Sequence, residues 1–302
     1  PFTKMPTSLC NIFQEPFQKY KLTKNNAIFN MCEKFVMDEE GKISSKYDIS
    51  GNVEFGRWVD QPEKLEQITR ELLETMGKVW RSLKYKLFIK DGEPQVNEGS
   101  YICEVIAPLI NIAMNDLPGH PLAWVSELRG EEGSLASAVR KGSQKIARRP
   151  DYMLLTHLGK NAKLEISYLE TGRPNSTLIK RVRDHKKLAR FSKDSIDTTR
   201  SVSNLQRIFS RSITRQQLAI FTVNVAGDML EIYAMRKETG IFKYCLLEQA
   251  PIPLHIATPP DVYALIHVLL TLRTAVACTL YKIMHKSEDG DGDLSAEESP
   301  KT

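Results

Sequence analysis

The stretch RRPDYMLLTHLGKNAKLEISYLETGRP, residues 148–174, decides the fold that we predict for this chain of 302 residues. Two apolar segments, 151–158 and 162–170, lie on either side of the turn residues 159–161. This pattern is typical of a β-hairpin. Asp151 stands at the start of the first strand and the second strand contains acidic residues, so we expect the hairpin to bring two carboxylates together.

The segments around the hairpin predict a mixed architecture of helices and strands. Apolar spacing predicts helices over 61–84, 97–115, 134–148, 176–198 and 258–284, and strands over 121–128, 217–227, 228–237 and 241–249. The helix over 176–198 places five apolar residues on one stripe, namely Leu178, Val182, Leu188, Phe191 and Ile196. We therefore predict an α/β (α+β) fold, with a mixed central β-sheet flanked by helices.

The chain is expected to contain one α/β domain with an extension at each end. Residues 1–90 predict an irregular extension with short helices, and residues 91–285 predict the α/β domain. The acidic segment 286–302 lacks aromatic residues and predicts a disordered tail. The helix over 258–284 is apolar enough to be weighed as a membrane span, but His267 and Arg273 interrupt it. We therefore predict a buried core helix and no membrane association.

Basic residues are concentrated in one part of the chain. Residues 140–215 contain 19 Lys and Arg against 6 Asp and Glu, a net charge of +13, whereas the whole chain carries +5. A local excess of this kind attracts polyanions, so we expect contact with DNA or RNA. The five cysteines form no CxxC pair, which argues against a disulfide framework or a zinc site. They indicate an intracellular protein, in the cytoplasm or the nucleus.

Two resemblances follow from the order of these motifs. The stretch 148–174 resembles the central motif of the PD-(D/E)XK nuclease superfamily, which has Pro-Asp, a hairpin, an acid on the second strand and a basic helix. The wider order of motifs over residues 97–284, from NEGSYICEVIAPLI to LEIYAMRKETGIF, resembles a large set of proteins of unassigned function expanded in early-diverging fungi. The nuclease resemblance implies a restriction-endonuclease-like core of α-β-β-β-α-β order. Its first helix would begin at Glu98, and its second would contain DHKKLARFSKD.

The resemblance also implies a Mg²⁺ site and a set of functional residues. Glu98, Asp151 and Glu165 would ligate Mg²⁺ if the protein is active, and Lys180 or Lys187 would assist the attacking water beside Asp151 and Glu165. Nucleic acid would be bound by basic residues before and along the second helix, namely Arg148, Arg149, Arg173, Lys180, Arg181, Arg183, Lys186, Lys187 and Arg190.

The choice of the second acid depends on strand alternation. Uninterrupted alternation places Glu165 on one face with the small polar residue Ser167. It places Glu170 on the other face, at the end of an apolar stripe. Glu165 is therefore the preferred site acid, and Glu170 is the alternative.

One element of the superfamily motif is missing. The motif ends in Glu-x-Lys, but Glu165 is followed by Ile166-Ser167 and Glu170 by Thr171-Gly172. Either a lysine of the following helix replaces it, or catalysis has been lost. Three functions therefore stay open: a Mg²⁺-dependent nuclease, a catalytically degenerate domain that binds nucleic acid, and a protein-interaction or adaptor domain of the same fold.

Overall fold

A six-stranded mixed β-sheet forms the centre of the fold within the part of the chain that the structure describes. A computed structural model describes residues 23–39, 60–86, 96–117, 123–129, 133–142, 147–158, 162–174, 176–209 and 218–285. The strands lie in the order β1 to β6, each beside its neighbour in sequence. Helices flank the sheet, so the predicted mixed α/β architecture is confirmed.

The first three strands form an antiparallel meander. Strands β1 (Ala123–Arg129), β2 (Tyr152–Leu158) and β3 (Ala162–Thr171) pair in this order, and β2 with β3 is the predicted hairpin. Almost every residue of β2 and β3 is buried, as expected for strands inside a sheet that is covered on both faces.

A β-bulge interrupts the hairpin. Leu154 pairs with Ser167, but the next residue, Leu155, pairs with Glu165, so Ile166 is an extra residue in β3. An extra residue reverses the alternation of side chains beyond it. The faces that uninterrupted alternation predicts are therefore wrong on one side of Ile166.

The second half of the sheet begins with a crossover. Helices α6 (Leu178–Ser201) and α7 (Ser203–Ile208) lead from β3 to β4 (Ile220–Ala226), which pairs with β3 in parallel. A parallel neighbour needs such a crossover, and α6 packs on β3, β4 and β5. Strands β5 (Met229–Glu238) and β6 (Ile241–Pro251) then return in antiparallel pairing.

The helix before the sheet contains a wide turn. Helix α4 consists of an α-helical turn Glu98–Tyr101, a π-helical segment Ile102–Ile106 and an α-helical part Ala107–Met114. The N–H after the π segment donates to the carbonyl five positions back. Pro108 follows directly; it has no N–H, and its ring excludes the carbonyl of Glu104 from an ordinary helical position. The proline therefore accounts for the wide turn.

Helix α5 is shorter than the sequence predicts. It covers Leu135–Lys141 of the predicted 134–148 and ends at Gly142, whose φ is +77°. Glycine adopts this left-handed conformation without steric cost, and it commonly ends helices. Residues 143–146 lie outside the described part of the chain.

The N-terminal helices belong to the same hydrophobic core as the sheet. Helices α1 (Asn26–Glu39), α2 (Pro62–Arg81) and α3 (Leu83–Lys86) come first in the chain, and α8 (Pro259–His285) comes last. Helix α1 packs on α8, and α2 packs on α1 and α4, all around one cluster of buried apolar residues. A boundary at residue 90 therefore does not divide this core. The predicted tail, 286–302, lies outside the described residues.

Helix α8 passes through the core. By length and composition alone it could cross a membrane, but 83% of its most apolar window is buried inside the protein. Its fully buried Arg273 bonds the carboxylate of Asp60 at 2.7 and 3.1 Å. The same guanidinium donates to three carbonyls at the end of α4, those of Ala113, Asn115 and Asp116.

The apolar stripe predicted along α6 is only partly buried. Leu188, Phe191 and Ile196 are buried, but Leu178 and Val182 are 70% and 44% exposed. Leu178 and Val182 belong to the first two turns of α6, where the contacts with β3 and β5 are made by Lys180, to Thr171, and by Arg181, to Glu231.

Candidate functional site

A groove with a volume of about 1050 Å³ opens between the start of α4, the beginning of β2, the end of β3 and the first half of α6. Its charged lining consists of an acidic group, a basic group, and two lysines, Lys180 and Lys187, that lie among the acids. The acidic floor consists of Glu98, Asp151, Glu170 and Asp184. The basic wall consists of Arg148, Arg149, Arg183, Lys186 and Arg190.

Asp151 is fixed at the start of β2 by the end of β3. Its backbone N–H donates to the carbonyl of Leu169 at 3.1 Å, and its carboxylate accepts from the N–H of Thr171 at 2.7 Å. Burial raises the pKa of Asp151, while the Thr171 N–H and the charge of Lys187 act against that rise. The negative charge of Glu98 raises it further.

Glu170 is the second buried acid of the floor. Its side chain is almost fully buried, and one oxygen, Oε2, accepts from Nζ of Lys187 at 2.6 Å. The other oxygen, Oε1, has no hydrogen-bond partner among the described residues. Burial raises the pKa of Glu170 to about 8, and the nearby charge of Asp151 contributes to the rise. The two carboxylates therefore act on each other inside one groove.

Lys180 joins three elements around the floor. Its ammonium lies 3.0 Å from the carbonyl of Thr171, 3.0 Å from Asp184 and 3.5 Å from Glu98. Burial opposes its charge, but the hydrogen bond and charge of Asp184, followed by the charges of Glu98 and Asp151, raise the pKa of Lys180. Lys180 therefore remains charged and connects α6 with β3 and α4.

Helical spacing explains why one helix supplies these groups. Lys180, Asp184 and Lys187 are separated by four and three residues, which places them on the same face of α6. The helix begins at a defined residue, because the hydroxyl of Thr177 accepts from the N–H of Lys180 at 3.3 Å. The sequence thereby points three ionisable side chains toward the strand ends.

Glu165 does not lie in the groove, and the expected pairing of Asp151 with Glu165 is not found. Its carboxylate caps α5, because Oε2 accepts from the hydroxyl of Ser134 at 2.7 Å and Oε1 from the N–H of Leu135 at 2.6 Å. Tyr168 also donates to it at 2.5 Å. These contacts occupy both oxygens of Glu165 in a buried structural role.

The register of the hairpin explains this correction: Tyr152 pairs with Leu169, so Glu170 is the glutamate next to Asp151, whereas Glu165 pairs with Leu155 beyond the bulge at Ile166. Glu165 contacts Tyr168, three residues further along the strand, so the two lie on one face although strict alternation separates them. Glu165 and Glu170 therefore both point toward α6. They lie roughly 16 Å apart along the strand, at about 3.3 Å per residue. Glu170, the alternative from the sequence, is the acid that lies with Asp151.

Most of the predicted nucleic-acid-binding residues line the groove, but two do not. The five members of the basic wall have no ion-pair partner among the described residues. Arg181 lies on another face of α6, where it forms an ion pair with Glu231. Arg173 is exposed and is not among the groove-lining residues. Seven of the nine residues predicted to bind nucleic acid therefore line the groove.

Asp184 is a member of the floor that sequence reasoning missed. It is 6% exposed although it lies in a strongly basic helix. The signal was present in the sequence as Lys180 and Asp184 at a spacing of four residues, which commonly indicates an ion pair on one helix face.

Comparison of the chain with protein-family models, with curated proteins and with solved structures gives no match. Within the described residues, no three His, Cys, Asp or Glu side chains stand close enough together to form a preformed metal cage. The ammonium groups of Lys180 and Lys187 lie among the carboxylates of the floor. The site is thus a group of carboxylates with two lysines among them, bordered by a basic wall whose cations have no ion-pair partner within the described part of the chain.

Proposed function

We propose that the protein is a Mg²⁺-dependent nuclease of the PD-(D/E)XK type, which cleaves DNA or RNA in the groove. The observation that carries the proposal is that Asp151 and Glu170 lie in one groove with Lys187 at 2.6 Å from Glu170. This combination supplies the two acids and the lysine of the superfamily motif, with the lysine moved to α6. The order α4, β1, β2, β3, α6, β4 is that of the core which the resemblance implies, with α5 inserted between β1 and β2 and α7 inserted between α6 and β4.

The acidic floor is chemically suited to a divalent cation. Its four carboxylates and the two lysines among them leave a net charge of −2 when all are ionised. Oε1 of Glu170 is buried without a hydrogen-bond partner in the described part of the chain, and burial raises the pKa of Glu170 to about 8. Both observations indicate that the carboxylates of the floor are not fully neutralised by the two lysines. Mg²⁺ would supply the missing positive charge, and it prefers oxygen ligands such as these.

In this proposal Asp151 and Glu170 would hold the Mg²⁺, with water molecules completing its shell and Glu98 contacting one of those waters. The bound ion would neutralise charge on the phosphate and lower the pKa of a water molecule. The oxygen of water forms a bond to phosphorus, the P–O bond to the leaving strand breaks, and the leaving oxygen ends with a proton.

The protein's own residues position this reaction. The basic wall binds phosphates on either side of the scissile bond, because its cations have no competing partner among the described residues. Lys187 has one carboxylate partner, so its remaining N–H groups are available to the attacking water or to the phosphate. Lys180 already has three acceptors, so we assign it to positioning Glu98 and the end of β3.

A second candidate is binding of nucleic acid without cleavage. It is favoured by one observation: Lys187 and Lys180 already pair with acids of the floor, as they would in a site that has replaced its metal by internal cations. The basic wall serves equally in this function. A protein-interaction domain without nucleic acid is the alternative in which the basic wall contacts an acidic protein surface.

The deciding experiment is a cleavage assay on plasmid DNA and on labelled RNA, with Mg²⁺, with Ca²⁺ and with EDTA. The proposal predicts Mg²⁺-dependent cleavage that Asp151→Asn, Glu170→Gln and Lys187→Met each reduce by at least about 100-fold. Glu74→Gln removes a carboxylate from the exposed face of α2 and is the matched control.

Each outcome assigns one function. Cleavage that survives Asp151→Asn overturns the proposed site. Absence of cleavage together with salt-dependent binding selects the second candidate, and absence of both selects the protein-interaction domain.

A further inference from the structure

Three exposed apolar side chains stand at the entrance of the groove. Leu178 is 70% exposed, Ile179 is 81% exposed and Val182 is 44% exposed; we call these residues the apolar ridge. Ile179 and Val182 also line the groove itself. The ridge belongs to the first turns of the helix that supplies Lys180 and Lys187, so it lies directly beside the acidic floor.

The ridge and the basic wall are parts of one continuous stripe on α6. Ile179, Val182, Arg183, Lys186 and Arg190 follow the spacing of three and four residues that defines one helix face. From Ile179 to Arg190 this stripe is about 16 Å long at 1.5 Å per residue. Hydrocarbon occupies the N-terminal end of the stripe, beside Lys180 and its acidic partners, and the rest of the stripe consists of cations without an ion-pair partner among the described residues.

The order of the stripe indicates the chemistry of its ligand. The cations of the wall fit phosphates, but Ile179 and Val182 have no group that can bind a phosphate. Their side chains gain free energy by contact with apolar surface, and the apolar surface of a nucleic acid is the face of its bases. In a continuous duplex these faces are stacked inside the helix and cannot reach the ridge.

We propose that the groove takes nucleic acid with unpaired bases next to the scissile phosphate, and that the apolar ridge contacts those bases. This inference rests on the proposed function, because only that proposal identifies the ligand as a nucleic acid. It adds the substrate class: a strand at a junction between duplex and single strand, held by its backbone on the basic wall.

The test measures binding in EDTA, so that it does not depend on cleavage. The probes are a continuous DNA duplex and a duplex of the same length and sequence that carries an unpaired arm. We expect wild type to bind the armed duplex about tenfold more tightly, within the range that a single base contact supports.

The variant Ile179→Gln/Val182→Gln should lose this preference while its affinity for the continuous duplex changes less than twofold. Both side chains are exposed and glutamine favours helix, so the fold is retained. Ile241→Gln removes an equally exposed apolar side chain, 64% exposed in β6, and should leave the preference intact.

The outcomes separate this inference from the proposed function. Equal affinity of wild type for both probes overturns the inference, whether or not Mg²⁺-dependent cleavage is found. A preference that survives the double variant also overturns it and leaves the ridge to a protein partner. Failure of wild type to bind any nucleic acid overturns the inference together with the nucleic-acid function.

Discussion

Glu165 and Glu170 are two glutamates of one strand with different surroundings. Glu165 is satisfied by the start of α5 and by Tyr168, whereas Glu170 has one oxygen on Lys187 and one without a partner among the described residues. A buried carboxylate with complete hydrogen bonding stabilises the fold. A buried carboxylate without it destabilises the fold until it binds a cation or a proton. The two residues therefore respond differently to the same substitution.

We predict that Glu170→Gln stabilises the metal-free protein at high pH. The folded state raises the pKa of Glu170 from 4.5 to about 8, so the folded state binds this proton more tightly than the unfolded chain does. Wild type therefore loses stability as the pH rises through this interval, and the variant avoids the loss. Relative to wild type, the free energy of unfolding of Glu170→Gln, measured by urea unfolding in EDTA, should increase by about 4 kcal/mol between pH 5 and pH 9.

The matched variant Glu74→Gln, on the exposed face of α2, should show no such pH dependence. A Glu170→Gln effect of equal size at both pH values would contradict the buried, cation-deficient environment that we assign to this carboxylate.

We predict the opposite behaviour for Glu165→Gln. The variant places an amide group against the hydroxyl of Ser134 and the N–H groups at the start of α5, which leaves buried donors without an acceptor. Its free energy of unfolding should fall by about 2–4 kcal/mol at pH 7, measured by urea unfolding. Below its melting temperature it should keep the cleavage or binding activity of wild type. A Glu165→Gln protein that is stable but inactive would contradict the structural role of Glu165 and indicate that it acts in the functional site.

At the scale of elements, helix α6 presents different chemistry on adjacent faces. One face carries Lys180, Asp184 and Lys187 toward the acids, and the next carries the apolar ridge and the basic wall. The sequence predicted the bounds of this helix and its basic character, because periodicity and charge are local properties. It did not predict that the first apolar residues stay exposed, because burial depends on contacts with elements distant in sequence.

We predict that the basic wall determines the salt dependence of nucleic-acid binding. The triple variant Arg183→Gln/Lys186→Gln/Arg190→Gln should reduce the slope of log K against log salt by about 2 to 3, since each phosphate contact contributes about 0.7 to 0.9. Fluorescence anisotropy at several salt concentrations measures this slope. The variant Arg200→Gln/Arg207→Gln removes exposed cations outside the groove and should leave the slope within about 0.5 of wild type.

The hairpin shows where prediction from sequence ends. Both strands lie where the apolar pattern placed them, and Asp151 lies at the predicted strand start. The bulge at Ile166, which turns Glu165 to the face of Tyr168, carries no local signal of the glycine or proline type. The register, in which Tyr152 pairs with Leu169, makes Glu170 the neighbour of Asp151. The approach of Asp151 to an acid of the second strand was therefore accessible from the sequence, whereas the bulge was not.

At the scale of the whole molecule, helix α8 joins the N-terminal helices to the sheet. Arg273 is fully buried in its middle and binds Asp60 before α2 and three carbonyls at the end of α4. Composition alone gave this helix two interpretations, membrane span or core. Its buried arginine is satisfied by residues distant in sequence, which no local pattern could reveal.

We predict that Arg273→Met destabilises the whole protein by about 3–5 kcal/mol, because it leaves Asp60 and the carbonyls without their donor. Thermal and urea unfolding measure this loss, and the unfolding transition should stay single because the helices share one core. Asp60→Asn should cost less, since the guanidinium keeps its carbonyl acceptors. Separate transitions for the N-terminal helices and the sheet would contradict a common core.

The wide turn of α4 has a consequence for the first acid of the groove. One additional residue in a turn rotates everything before it by about 100° around the helix axis. Pro108 imposes that turn, so the direction in which Glu98 points is set by a ring ten positions downstream. The presence of the Glu98 carboxylate and the direction in which it points therefore depend on different residues. A substitution of Pro108 would redirect a carboxylate that lies ten positions away in the sequence.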